Sequence, residues 1–137
     1  MVFIKHFALA KELNLPMFLH SRSSESDFYD IVKAHRDKFP GGVVHCFTGS
    51  AKEMKDLIDL DLYIGVSGLS FKTEENIDVV KQIPLDKILV GTDCPFCLIK
   101  PDYAGAQYIK TQFDFTPKGN YKCDKLVSGR NEPCNIV

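Results

Sequence analysis

The sequence predicts an α/β fold built on a parallel sheet, and three observations predict it. Short apolar runs alternate with segments of helical periodicity, four times in succession. Each run stops abruptly in polar or small residues, with Pro or Gly at most boundaries. Three of the segments that leave these runs carry His20, His45 and Asp93, residue types able to do chemistry, where the chain would emerge from the sheet.

Phe3, Phe7, Ala10 and Leu13 recur at helical spacing while Lys5, Lys11 and Glu12 lie elsewhere, so the chain opens with an amphipathic helix that Asn14 and Pro16 end. The apolar stretch Pro16 to His20 then reads as a strand, followed by Ser21, Arg22, Ser23 and Ser24. Ser24, with Asp27 three residues on, reads as a variant capping box for a second helix, and Phe28, Ile31, Val32 and His35 carry it to about Lys38. Pro40-Gly41 breaks that helix. Gly42-Val43-Val44-His45 repeats the strand that ends in histidine, with Cys46 to Gly49 as its exit loop.

The third unit begins with Ser50-Ala51-Lys52-Glu53, a regular capping box, and Met54, Leu57 and Ile58 form its apolar stripe. The strand Leu62 to Val66 follows and stops at Ser67-Gly68, read first as a plain turn and second as small residues that let a substrate approach the backbone. Thr73 caps a fourth helix with Glu74 and Glu75 at its positive end; Ile77, Val79 and Val80 give its apolar side, and Pro84 closes it. The stretch Lys87 to Pro95, K-I-L-V-G-T-D-C-P, is the centre of the chain. Its Ile88, Leu89 and Val90 read as a strand buried on both faces, and Pro95 stops the strand so that Asp93 stands at its exit.

Beyond Pro95 the pattern weakens. Tyr103 to Lys110 reads as one short helix, Phe113 to Gly129 as polar loop with Pro117, Gly119 and Asn120 as breakers, and Arg130 to Pro133 as the start of a last helix. Basic residues outnumber acidic ones between Lys100 and Arg130, an excess that suits solvated loops and can also steer a polyanion.

A chain of 137 residues with 45% hydrophobic content suits one domain with a real core. No apolar run approaches the ~20 residues of a membrane span and no signal pattern is visible, so no membrane partner is expected. A formal charge of -1 argues against a basic nucleic-acid coat protein but not against a nuclease, since bound metal ions can meet the phosphate charge. Five cysteines without regular spacing suit a reducing compartment, so the expected location is cytoplasmic or nuclear.

Four βα units linked by right-handed crossovers amount to half of a (β/α)8 barrel, which needs eight and typically ~250 residues. In such a partial TIM barrel His20, His45 and Asp93 sit at the carboxyl ends of three strands and converge on one face. Imidazole and carboxylate suit a divalent ion of the Zn or Mn type, and Mg can use the carboxylate with water. An ion held there makes a nucleophile of water at neutral pH.

The segments L-P-M-F-L-H-S-R, G-G-V-V-H-C-F-T-G, D-L-Y-I-G, T-D-C-P and R-N-E-P, in this order, resemble the TatD family of metal-dependent deoxyribonucleases, most closely its eukaryotic branch, in which a cysteine such as Cys97 also follows T-D-x-P. The resemblance spans nearly the whole chain. It implies one truncated TatD-like domain over residues 1–137, corresponding to the C-terminal half of the barrel. It also implies His20, His45 and Asp93 as ligands of a divalent metal ion (Mg, Mn or Zn), with Asp93 also catalytic in orienting or deprotonating the attacking water. Arg22 becomes a phosphate contact, its planar guanidinium suited to phosphate oxygens, and DNA the substrate. The departures are the missing His-x-His pair and bridging Glu of the family's earlier strands, Gly91 where the family often has Glu, and a short final helix. They lead to the expectation of a fragment, truncated product or degenerate homologue. Its uncovered sheet edges and the exposed faces of Val43, Val44, Ile88 and Val90 would then favour self-association and leave little activity in the chain alone. Two other readings compete: a non-catalytic barrel fragment retained for binding, and a thiol redox or zinc module on Cys94-Pro95-Phe96-Cys97. In the nuclease reading Cys94 is a small packing residue beside Asp93, and Cys97 is kept from acting as a redox partner by the nearby carboxylate.

Overall fold

A computed structural model of the chain describes residues 2–136. Strands β1 (Met17–His20), β2 (Gly42–His45), β3 (Tyr63–Val66) and β4 (Ile88–Val90) form one sheet in the order β1-β2-β3-β4, with every neighbouring pair parallel. Spatial order equals chain order because each crossover returns to the adjacent strand, the succession of a barrel wall. The crossovers contain α2 (Glu25–Ala34), α3 (Ala51–Asp59) and α4 (Glu74–Val80), and α1 (Val2–Leu13) precedes β1.

Strand alternation divides the residues between two faces. Leu19, Val44 and Ile64 lie in register across β1 to β3 and are buried with Phe7, Val32, Met54 and Leu62 from the helices and loops, forming the core. Phe18 and His20, on the opposite face of β1, are exposed. This division corrects two expectations. Val44 faces the helices rather than an open interior, and is fully buried. β4 is not buried on both faces: only Ile88 packs on the core, while Leu89 and Val90 at the edge of the sheet are 46% and 65% exposed.

The helix ends follow the sequence where side chains make the bonds. Ser50 Oγ accepts from Glu53 N at 3.2 Å while Glu53 Oε2 accepts from Ser50 N at 2.7 Å, the full capping box of α3. Thr73 caps α4 in the same way, its return bond coming from Asn76. Ser24 does not cap α2: its backbone is already helical and its hydroxyl pairs with Ser21 Oγ at 3.1 Å. α2 also ends early, at Ala34, with a 3-10 turn over Arg36–Lys38. His35 closes it by bonding Ile31 O through Nδ1 at 2.9 Å, and stacks on Phe7. In α1, Leu13 is exposed rather than part of the buried stripe.

After β4 the segment from Tyr103 forms a 3-10 turn, Ala104–Tyr108, and the last helix is a 3-10 turn, Pro133–Ile136. The loop between them contains two strands that sequence reading misses, β5 (Phe115–Thr116) and β6 (Leu126–Val127), paired in parallel. Two-residue strands are too short to carry a period. No helix among the described residues is long and apolar enough to cross a membrane.

Candidate metal centre and its supporting loops

Residue pairing between β1 and β2 places His20 opposite His45 at the last position of both strands, with ring centroids 5.1 Å apart. Phe18 lies against both rings, at 4.4 Å from His45 and 5.5 Å from His20, and fixes them at one end of the sheet. Asp93 follows β4, two strands away from His45, yet its Oδ1 stands 3.6 Å from His45 Nε2. The carboxylate reaches that far because the chain folds back over the end of β3. Gly68 makes the fold-back possible: a Cβ there would lie 1.8 Å from Cys97 O. Gly68 is therefore small so that the Asp93 loop can approach, a reason that neither the turn nor the substrate access read from the sequence contains.

His45 and Asp93 come together, and a third donor that sequence reading missed joins them. Among the described residues, His45, Cys46 and Asp93 offer ligand atoms that all lie within 4.8 Å of one another. His20 is on the same face one strand further out and exposed, outside this closest set; Arg22 lies on the loop that leaves β1 and is exposed. Cys46 escapes notice because neighbours in a strand point to opposite faces. Its positive φ of 52° breaks that alternation, bringing Sγ to 3.5 Å from His45 Nε2. Ser23, Asp93 and Cys97 share such φ values, 50°, 53° and 56°, so left-handed backbone is concentrated in the loops around the site.

The R-N-E-P segment holds the Asp93 loop. Asn131 is 3% exposed; its Nδ2 donates to Thr92 O at 2.7 Å and its backbone N–H to Pro95 O at 3.0 Å, one bond on each side of Asp93. Its Oδ1 accepts from Glu132 N and Asn135 Nδ2, so the amide is engaged at both ends. Asn131→Ala should cost about 1–3 kcal/mol, the range for leaving polar groups unpaired, with the part-buried Thr92 O among those that lose a partner; a urea midpoint equal to that of the parent would show that the clamp carries no weight.

Cys97 Sγ donates to Asp93 Oδ2 at 2.9 Å. Burial first, and this bond second, push its pKa up to about 12. Cys94 is exposed, which corrects its expected packing role, and all five cysteines are free thiols. Since a thiolate is the nucleophile, and burial and the bond to Asp93 hold Cys97 protonated, iodoacetamide should modify Cys94, Cys123 and Cys134 while sparing Cys97. Cys97 labelled as fast as Cys94 in mass spectrometry would contradict the burial and the bond.

A divalent ion fits these residues. The closest donors are an imidazole, a thiol and a carboxylate, the set that binds borderline ions. His45 Nδ1 is buried without a hydrogen-bond partner, while its Nε2 faces Cys46 Sγ and Asp93 Oδ1.

Parallel strands in sequential order, with imidazole, thiol and carboxylate side chains gathered at their carboxyl ends, define part of a (β/α)8 barrel with a candidate metal site. The family described as TatD related DNase matches residues 1–135, and the chain belongs to that family. It is 47% identical to the deoxyribonuclease Tat-D of Schizosaccharomyces pombe over 98% of its own length and 44% of that protein's. The crystal structure of a hydrolase TatD family protein from Entamoeba histolytica superposes with a TM-score of 0.88 at 38% identity, over 96% of this chain and 44% of that one. An uncharacterized amidohydrolase from Saccharomyces cerevisiae superposes at 0.84 with 32% identity, over 98% and 50% of the two chains. The chain thus spans half or less of the length of these relatives.

Proposed function

We propose that this chain forms part of a metal-dependent hydrolase centre that cleaves DNA phosphodiester bonds with water. The observation that carries the reading is the 3.6 Å approach of His45 Nε2 and Asp93 Oδ1 at the carboxyl ends of parallel strands, with His20 in register beside them. His20, His45 and Asp93 would hold the ion, which when bound supplies acidified water as the nucleophile; Mg, Mn and Zn all suit that role. Asp93 would hold the ion through the oxygen facing His45 and so orient the attacking water, while Cys97 occupies the other oxygen and keeps the carboxylate from turning. Arg22, on the loop that leaves β1, meets the phosphate as a planar donor. DNA is the substrate class named for the fission yeast relative. Free thiols throughout suit a cytoplasmic or nuclear setting.

The test is hydrolysis of DNA in Mg or Mn, with and without chelator, by this chain joined to the missing barrel strands. Activity that survives excess chelator would overturn the metal-dependent reading, and a folded but inert assembly would favour a binding role.

A further inference from the structure

We propose that Cys46 is a ligand of the same ion, giving the site a sulfur donor and a preference for thiophilic ions of the zinc type over magnesium. The inference rests on the metal-dependent reading above and deepens it. Two observations carry it. The left-handed turn at Cys46, at φ 52°, swings its side chain to the His45 side of β2, where a regular strand would turn it away. Sγ then stands 3.5 Å from His45 Nε2, and the donors of His45, Cys46 and Asp93 all lie within 4.8 Å of one another, a spacing that one ion could draw together.

Coordination breaks the S–H bond of Cys46 as the sulfur–metal bond forms, and the proton leaves to solvent. Magnesium, which demands oxygen ligands, gains nothing from that sulfur, whereas zinc and cobalt do. Cys97 plays a separate part, because its thiol is spent on Asp93 Oδ2 at 2.9 Å and so leaves Oδ1 for the ion.

Cobalt(II) alone, added to the reduced 137-residue chain without oxygen, reads the assignment directly. Expected is the intense near-ultraviolet charge-transfer absorption of a cobalt–thiolate bond. Cys46→Ser should remove it and weaken zinc binding on the order of tenfold or more. Cys97→Ser and Cys94→Ser should retain it. Cobalt that binds, and is lost in His45→Ala and Asp93→Asn, but shows no sulfur absorption would overturn the Cys46 assignment and leave the metal site standing. An absorption that persists in Cys46→Ser would also overturn it. Failure of the parent chain to bind cobalt or zinc at all would overturn both readings. The parent spectrum needs no variant, so misfolding of Cys46→Ser cannot shelter the proposal.

Discussion

Fused behind an N-terminal barrel half that carries a His-x-His pair and a glutamate, the chain should hydrolyse DNA in Mg or Mn, and His45→Ala in that fusion should abolish the activity. The 137-residue chain alone should show little. Phosphodiester cleavage needs charge neutralised on both the attacking and the leaving oxygen, commonly by two ions. The donors gathered here, His45, Cys46 and Asp93 with His20 beside them, suffice for one. The sheet adds a second reason. β1 and β4 stand at its two ends, and Phe18, Leu89 and Val90 are exposed beside those ends, so the isolated chain should self-associate. Asp93→Asn in the fusion should lower turnover on the order of 10²- to 10⁴-fold, the range for loss of a positioned base. A release-of-nucleotide assay with and without chelator measures the fusion, its variants and the short chain alike. Robust chelator-sensitive cleavage by the short monomeric chain would show that its own residues suffice.

How legible each feature is in the sequence follows from how far it depends on local residues. Gly42 to His45 is legible to the residue because an apolar run, a preceding Pro-Gly break and a terminal histidine all mark it. The convergence of His45 and Asp93 is legible as well, since parallel strands in sequence order bring their carboxyl ends to one side. Cys46 is not, because its direction depends on a left-handed φ that no pattern of residue types announces. Asn131 stands in a recognised motif with no role attached: its partners, Thr92 and Pro95, lie far back in the chain, and only folding brings them together. The exposure of β4 is hidden for a related reason. A short run such as Ile88 to Val90 reports that a strand is apolar, and its neighbours decide what covers it.

Gly68→Ala should be the most damaging small substitution in the chain, costing on the order of 3 kcal/mol and loosening Asp93 as well. The added Cβ would sit 1.8 Å from Cys97 O, a backbone atom that cannot step aside as a flexible side chain can. Either β3's exit or the Asp93 loop must move, and overpacking of this kind costs about 1–3 kcal/mol, with larger values where backbone is involved. The loop is the softer partner, tied down by Asn131 and by the Cys97 to Asp93 bond. Displacing it should break the thiol–carboxylate contact, so Cys97 should be labelled by iodoacetamide faster than in the parent. Gly91→Ala is the matched control: it lies on the connection from β4 to Asp93, its Cβ would meet nothing within 4 Å, and its stability change should stay within about 0.5 kcal/mol. Urea midpoints and alkylation rates on the two variants decide the matter. A Gly68→Ala protein as stable as Gly91→Ala would mean that the Asp93 loop does not lie over the end of β3, and the path by which Asp93 reaches His45 would have to be redrawn.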